Sequence, residues 1–272
     1  MDPIIKLYQV DAFTDKIFSG NPAGVWIGET FPGHKVMLAL AAEMNLSETA
    51  FVECGNGGCR IRYFTPTREV PLCGHATLAA AHILNELGYI ADGEPVVLHA
   101  SEHDLPVRVD AGWIQMTFPR YGLAKIEKAE HLGAVIGACV REAFRSDNGW
   151  IVARVSDEKS LHEARPDFPA ITRTGAALIA ATSESSSPEY DYSVRVFCDP
   201  AYGIQEDPVT GAAQCILAPY WHAELGKTAF SSRQLSARGG EMKVELSAGG
   251  LLIKGQAATV FVIEARIPIA TS

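Results

Sequence analysis

Three short strings in this 272-residue chain carry side chains that can move a proton or hold an anion. In Asn45-Leu46-Ser47-Glu48-Thr49-Ala50-Phe51 a carboxyl sits among apolar neighbours. Partial burial of Glu48 there would raise its pKa toward neutrality, as a general acid/base requires. The same string also reads as a solvated residue at the start of a strand. In Cys73-Gly74-His75-Ala76-Thr77 the imidazole can give or take a proton near neutral pH, and Gly74 lets a ligand approach the backbone. The plain alternative is a histidine that caps a helix. Glu206-Asp207-Pro208-Val209-Thr210-Gly211-Ala212-Ala213 is an acidic turn before a second helix, where capping by Asp or Thr is the plain alternative. A helix start leaves backbone N–H groups unpaired and carries partial positive charge, which favours a carboxylate. Together the three strings place one Glu, one His and one Asp beside two anion-friendly helix starts.

Other chemistry-bearing patterns fail on context. No Gly-x-Gly-x-x-Gly follows a strand, and no Gly-x-Ser-x-Gly elbow occurs. Gly226-Lys227-Thr228 looks like the end of a P-loop, but Trp221 stands where its first Gly belongs. His99-Ala100-Ser101-Glu102-His103 matches an inverted zinc-protease string, which needs a helix to align its histidines. Here Val96-Val97-Leu98 precede it as a strand would, so no metal is expected. Cys54-Gly55-Asn56-Gly57 has the form of a racemase thiol loop, but between two strand-like runs Asn-Gly reads as a hairpin turn.

The elements that must position these groups are legible in outline. The pattern predicts strands at 3–12, 23–27, 48–54 and 59–64, and helices at 34–44 and 75–87. Strands at 95–100, 105–110 and 113–118 complete the first half. The second half reads as a helical stretch over 124–135, strands at 150–155, 176–181 and 192–198, and a helix at 211–223. Strands near 229–235, 241–246, 250–254 and 257–265 follow. Glu69-x-Pro71-x-x-Gly74-x-Ala76 and Glu206-x-Pro208-x-x-Gly211-x-Ala213 each run from a loop into a small-residue helix, which implies a duplicated α+β unit. Two helix starts facing each other across a cleft follow from that duplication.

Composition bounds the rest. The formal net charge is −9 and 47% of residues are apolar, which excludes a disordered chain and argues against a nucleic-acid binder. No run approaches the ~20 apolar residues of a membrane span, and the N-terminus lacks the pattern of a signal peptide. Six cysteines in a chain of this length imply unpaired thiols in a reducing cytoplasm.

At these residues the chain resembles the phenazine-biosynthesis-like family, relatives of trans-2,3-dihydro-3-hydroxyanthranilate isomerase. The resemblance runs through Gln9–Phe13, Gly20–Val25, Asn45–Phe51, Arg62–Pro66, Cys73–Thr77 and Glu206–Gly211. It implies an α+β, diaminopimelate-epimerase-like fold of two similar lobes, each a curled, mostly antiparallel sheet around a central helix. The expected lobes are 1–114, joined by a C-terminal strand near 258–270, and 115–257. It also implies a cofactor-independent isomerase, usually a homodimer. Glu48 would shuttle the proton, with His75 and Asp207 as its catalytic partners. Ser47, Cys73, Gly74, Gly211 and Ala212 would bind substrate. Family epimerases and proline racemases use two cysteines instead. Cys73 matches the first, but the second loop has no thiol, so an epimerase pairing Cys73 with Glu48 is the alternative. A binding protein on the same scaffold is the other. The phenazine enzyme has Ser where this chain has Ala212, which leaves the substrate open.

Overall fold

The computed structural model describes residues 4–55 and 57–266. The chain divides into two compact units, one built from residues up to Met116 together with those from Gly255 onward, the other from Thr117–Lys254.

In the first unit the order is β1 (Ile4–Ala12), β2 (Asn21–Gly28), α1 (His34–Met44), β3 (Thr49–Gly55), β4 (Gly58–Phe64), β5 (Glu69–Val70), α2 (Gly74–Glu86), β6 (Pro95–His99), β7 (Asp104–Asp110) and β8 (Trp113–Phe118). The second unit runs β9 (Leu123–Lys125), α3 (Glu130–Ile136), β10 (Val140–Ser146), β11 (Ile151–Val155), α4 (Glu158–Glu163), α5 (Phe168–Arg173), β12 (Leu178–Glu184), β13 (Tyr192–Cys198), β14 (Glu206–Asp207), α6 (Gln214–Leu225), β15 (Ala229–Gln234), β16 (Gly240–Ser247) and β17 (Gly250–Gly255). The chain then returns to the first unit as β18 (Ala257–Arg266), which pairs antiparallel with β1. The part of the expected 258–270 strand beyond 266 lies outside the described residues, as do Pro3 and Asn56 of the expected 3–12 strand and hairpin turn.

Strand pairing repeats from unit to unit. In the first, β1–β2 is antiparallel, β2–β3 parallel and β3–β4 antiparallel; β4 then takes β5 antiparallel and β6 parallel. In the second, β10–β11, β11–β12 and β12–β13 follow the same sequence, and β13 takes β14 antiparallel and β15 parallel. The outer strands match too, because β18 pairs with β1 as β9 pairs with β10. The echoed glutamates have one job in both copies. Glu69 lies opposite Phe64 and binds Arg62 through two bonds of 2.7 Å. Glu206 lies opposite Phe197 and binds Arg195 through two bonds of 2.8 Å. Each arginine also lies over the phenylalanine two residues on, at 5.3 and 4.9 Å. The Arg62 hydrogen bonds hold the Glu69 carboxyl below its usual range. These glutamates pin the short strand that precedes each helix start.

Each sheet curls around its own helix. α2 packs against β1, β2, β3, β7 and β18, which stand toward opposite ends of the strand order. Its Ala76, Ala79, Ala80 and Ala81 are fully buried, and such short side chains let strands close on the helix from several sides. A Cβ on Gly255 would lie 2.6 Å from Phe13 and 2.8 Å from Leu78 of α2, so only glycine fits at that join. α1 covers the sheet's outer face, with Met37 and Ala41 packed on Leu7, Trp26, Phe51 and Phe64. In the second unit α6 reaches β9, β11 and β16, and Trp221 stacks on Tyr192 at 5.1 Å.

Several expectations are corrected. The stretch 124–135 is not one helix: Leu123–Lys125 pairs with Phe144–Ser146 of β10, and only Glu130–Ile136 is helical. The helix expected over 211–223 starts as a 3-10 turn at Gly211–Ala213 and continues as α6. The pattern also misses β10, α4 and α5. Six thiols outside any disulfide were expected, yet Cys54 and Cys59 form one across the β3–β4 hairpin. They are directly opposed in the ladder, with Cα atoms 4.2 Å apart, close enough for the sulfurs to meet. That bond removes the thiol argument for a reducing compartment. Among the described residues, no helix is long and apolar enough to cross a membrane.

Glu158, in the first turn of α4, ties that helix to the sheet of the second unit. It accepts hydrogen bonds from the Ser186 and Ser193 hydroxyls and from Arg233 Nη2 at 3.0 Å. Burial raises its carboxyl, but these bonds outweigh that and hold it at about 2. A free carboxylate titrates near ~4.3, so the contribution of Glu158 is full above that pH and is lost as pH falls toward the native value. Urea unfolding followed between roughly pH 5 and 2 should therefore lose stability more steeply in wild type than in Glu158→Gln. Equal slopes would remove Glu158 from the acid response.

Candidate active site

Local folding brings four of the expected residues together in the first unit. α1 ends at Asn45, whose backbone is left-handed (φ 50°), and this turns the chain so that Ser47 and Glu48 lead into β3. Across the sheet, β4 and the short β5 carry the chain to Cys73 and α2. Cys73 is the N-cap in extended backbone and makes no side-chain capping bond. The first intrahelical bond runs from Thr77 N–H to Cys73 C=O at 3.0 Å, so the N–H groups of Gly74, His75 and Ala76 have no acceptor within the helix. His75 is thus one residue inside the helix and does not cap it.

The side chains converge on one imidazole. His75 Nε2 lies 3.4 Å from Glu48 Oε2 and 3.3 Å from Ser47 Oγ. Cys73 Sγ lies 3.4 Å from His75 Nδ1 and 3.9 Å from Nε2. Exposure is low but not zero, 10% for the His75 side chain and 22% for that of Glu48, which permits contact with a small ligand. Among the described residues, Glu48, Cys73 and His75 are also where three potential metal-ligating atoms gather, all within 4.8 Å.

Two residues absent from the sequence expectations hold this arrangement. Thr77 Oγ1 donates to Cys73 C=O at 2.7 Å and lies 2.6 Å from Tyr63 Oη. Burial pushes the Tyr63 phenol well above its ordinary value, so it stays a neutral hydroxyl. This buried chain fixes the backbone on which Cys73 and His75 are mounted. Both lie in stretches that carry the resemblance, Cys73–Thr77 and Arg62–Pro66, but neither was given a role there.

The remaining expected residues belong to the second unit. Asp207 Oδ2 accepts the Thr210 hydroxyl at 2.5 Å. Gln234, buried on β15, donates to Asp207 C=O at 2.6 Å and accepts from Thr210 N–H at 2.9 Å. Thr210 precedes the 3-10 turn without a side-chain capping bond, and Gly211 and Ala212 lie within that turn. Sequence reading missed Gln234, which is distant in the chain. The two cysteines near this loop are poor bases. Burial pushes the thiols of Cys198 and Cys215 up to about 12, and for Cys198 the Asp207 carboxylate adds to the effect.

The discarded motifs fall where their context placed them. His99 and His103 lie at the β6–β7 connection, and His99 Nδ1 pairs with Asp104 at 2.7 Å rather than sharing a helix face. Gly226 ends α6 in left-handed backbone, the reverse of a P-loop's geometry.

Comparison with known proteins agrees with this architecture. The sequence pattern of the phenazine biosynthesis-like protein family matches residues 10–262. A relative named as an uncharacterized isomerase of Halalkalibacterium halodurans is 40% identical over 255 residues, covering 93% of this chain and 96% of the relative. The crystal structure of a phenazine biosynthesis protein of the PhzF family from Enterococcus faecalis superposes with a TM-score of 0.91 at 32% identity, covering 97% of this chain and all of that one. A hydroxyproline epimerase from Agrobacterium vitis, solved with trans-4-hydroxy-L-proline, shares the fold at a TM-score of 0.64 and 14% identity, covering 99% and 95% of the two chains.

The support of the site by Thr77 is open to test. Thr77→Val removes the hydroxyl that links Tyr63 to Cys73 and leaves both partners buried without it. We expect a loss of about 1–3 kcal/mol in urea unfolding. Thr77→Ser, which keeps the hydroxyl, should recover most of it.

Proposed function

The chain belongs to the phenazine biosynthesis-like family, and on that premise we propose that it is an isomerase that moves a proton on a small carboxylate-bearing metabolite without a cofactor. The observation that carries this reading is the 3.4 Å approach of Glu48 Oε2 to His75 Nε2 at the start of α2. Relatives named as isomerases, and a fold shared with an epimerase, support isomerase activity in general.

In this reading Glu48 takes a proton from one carbon of the substrate and returns it to another on the same face. His75 orients or polarises the substrate. The N–H groups at the start of α2 receive the substrate carboxylate and the negative charge that develops as the proton leaves. Ser47, Cys73 and Gly74 line the substrate in the first unit.

A second reading has one observation in its favour. Cys73 Sγ lies 3.4 Å from His75 Nδ1, close enough for the imidazole to take the thiol proton. That arrangement would suit an epimerase with Cys73 and Glu48 as its two bases. A symmetrical two-thiol mechanism finds no second thiol in the loop Glu206–Ala213 that corresponds to the Cys73 loop.

Deuterium exchange separates these readings. Small carboxylic acids are incubated with the protein in deuterium oxide and followed by NMR. The isomerase reading expects label at the reacting carbons in wild type, and a fall of roughly 10²–10⁴-fold in Glu48→Gln. Exchange that survives Glu48→Gln but is lost in Cys73→Ser transfers the proton step to the thiol. A carboxylate that binds tightly and never exchanges would sink the enzyme reading and leave a binding protein.

A further inference from the structure

We propose that Glu48, Cys73 and His75 form a Zn²⁺ site, and that the ion, when bound, shuts down proton transfer by Glu48. The blocking role rests on the reading of Glu48 given above, whereas the site itself rests on geometry alone.

The donor set is one that zinc favours: a thiolate sulfur, an imidazole nitrogen and a carboxylate oxygen. Zinc bonds of about 2.0–2.3 Å at tetrahedral angles place neighbouring ligand atoms roughly 3.3–3.7 Å apart. The Glu48 Oε2 to His75 Nε2 separation is already 3.4 Å. The Cys73 Sγ to His75 Nε2 separation, 3.9 Å, needs to close by only a few tenths of an ångström. All three ligand atoms lie within 4.8 Å of one another, so small side-chain rotations bring them onto one ion. Nε2 is the ligating nitrogen because it faces the carboxylate, and the sulfur, now nearer Nδ1 at 3.4 Å, reaches it by rotation about the Cys73 side chain.

Charge and mounting agree with this. One thiolate and one carboxylate neutralise the dication, so the filled site carries no net charge into a pocket where the His75 side chain is only 10% exposed. Binding takes up Zn²⁺, releases the Cys73 thiol proton to solvent, and leaves oxidation states unchanged. Cys73 and His75 sit at the start of one helix, held through Thr77 to Tyr63, so two of the three ligands are preorganised. Three protein ligands leave a fourth position for water. The ion would occupy the Glu48 lone pairs that otherwise accept the substrate proton, making free Zn²⁺ an inhibitor. His99, His103 and Glu102, the string that looks like a zinc motif in sequence, lie exposed at a hairpin connection and form no such group.

Cobalt(II) reports on the site without any substrate. The full-length chain, freed of metal, is titrated with Co²⁺ and scanned in the near-ultraviolet and visible. The proposal expects a sulfur-to-cobalt charge-transfer band that saturates at one equivalent and is bleached by Zn²⁺. Cys73→Ser should abolish the band, Glu48→Gln should weaken Co²⁺ binding by about tenfold or more, and Cys139→Ser should leave it intact. Circular dichroism of each variant confirms that it is folded, and His75→Ala supplies a second ligand deletion should Cys73→Ser misfold. Absence of the band in wild type, or a band that survives Cys73→Ser, would overturn the site. Deuterium exchange that continues undiminished with the site saturated by Zn²⁺ would overturn the inhibition. A cobalt band in a protein that exchanges no substrate would discard the isomerase reading and keep the metal site, so the two fail separately.

Discussion

Everything in the first unit depends on how closely a sheet can approach the helix it encloses. α2 is wrapped by strands from opposite ends of the same sheet, and its four buried alanines make that possible. A helix so enclosed has little freedom to shift along or about its axis, because interiors pack without spare volume. Its N-terminus is therefore a fixed point. Tyr63 and Thr77 secure that point from the sheet, and Cys73 and His75 ride on it. Glu48 arrives from the other direction, at the lip of β3, whose Thr49–Val52 run is buried on both faces. The Glu48–His75 pair is thus held between two elements that the core immobilises.

The same plan serves the second unit with different materials. α6 keeps Ala213 and Ala218 buried but adds Ile216, Leu217 and Trp221, and it meets Tyr192 by ring stacking. The pairing pattern survives this change of packing, and so do the Arg–Glu clamps before each helix start. What does not survive is the chemistry. Where the first copy has Cys73, Gly74 and His75 at its helix start, the second has Thr210, Gly211 and Ala212. The duplication preserved a scaffold for a helix start and left a thiol and an imidazole on one copy of it.

Much of this was legible in the residues, and the misses have physical causes. His34–Met44 and Tyr192–Cys198 follow directly from composition, because unbroken helix formers and a β-branched, aromatic run leave little ambiguity. Val140–Ser146 was missed because its Arg, Glu and Ala favour a helix, and only pairing with β9 and β11 makes it a strand. The two short helices α4 and α5 had a readable signal, since Asp157 and Asp167 each cap the helix they precede. Ser47, Glu48, Cys73 and His75 could be named from types and context, yet their convergence on one imidazole is a tertiary fact. The Glu in each echoed string was visible only as a mark of duplication, and in the structure it is the partner of an arginine on the neighbouring strand.

The return of the chain to the first unit shapes how the protein must come to be folded. β1 is made before the second unit, and its partner β18 follows only after all of Thr117–Lys254 has been made. The second unit is a single continuous stretch, free to condense during synthesis, whereas the first must wait with a strand edge unpaired. Closing that long loop is entropically costly and slow. The unit that carries Glu48 and His75 is thereby completed after the second, so a nascent chain would hold a finished second unit before the strand edge of the first is closed.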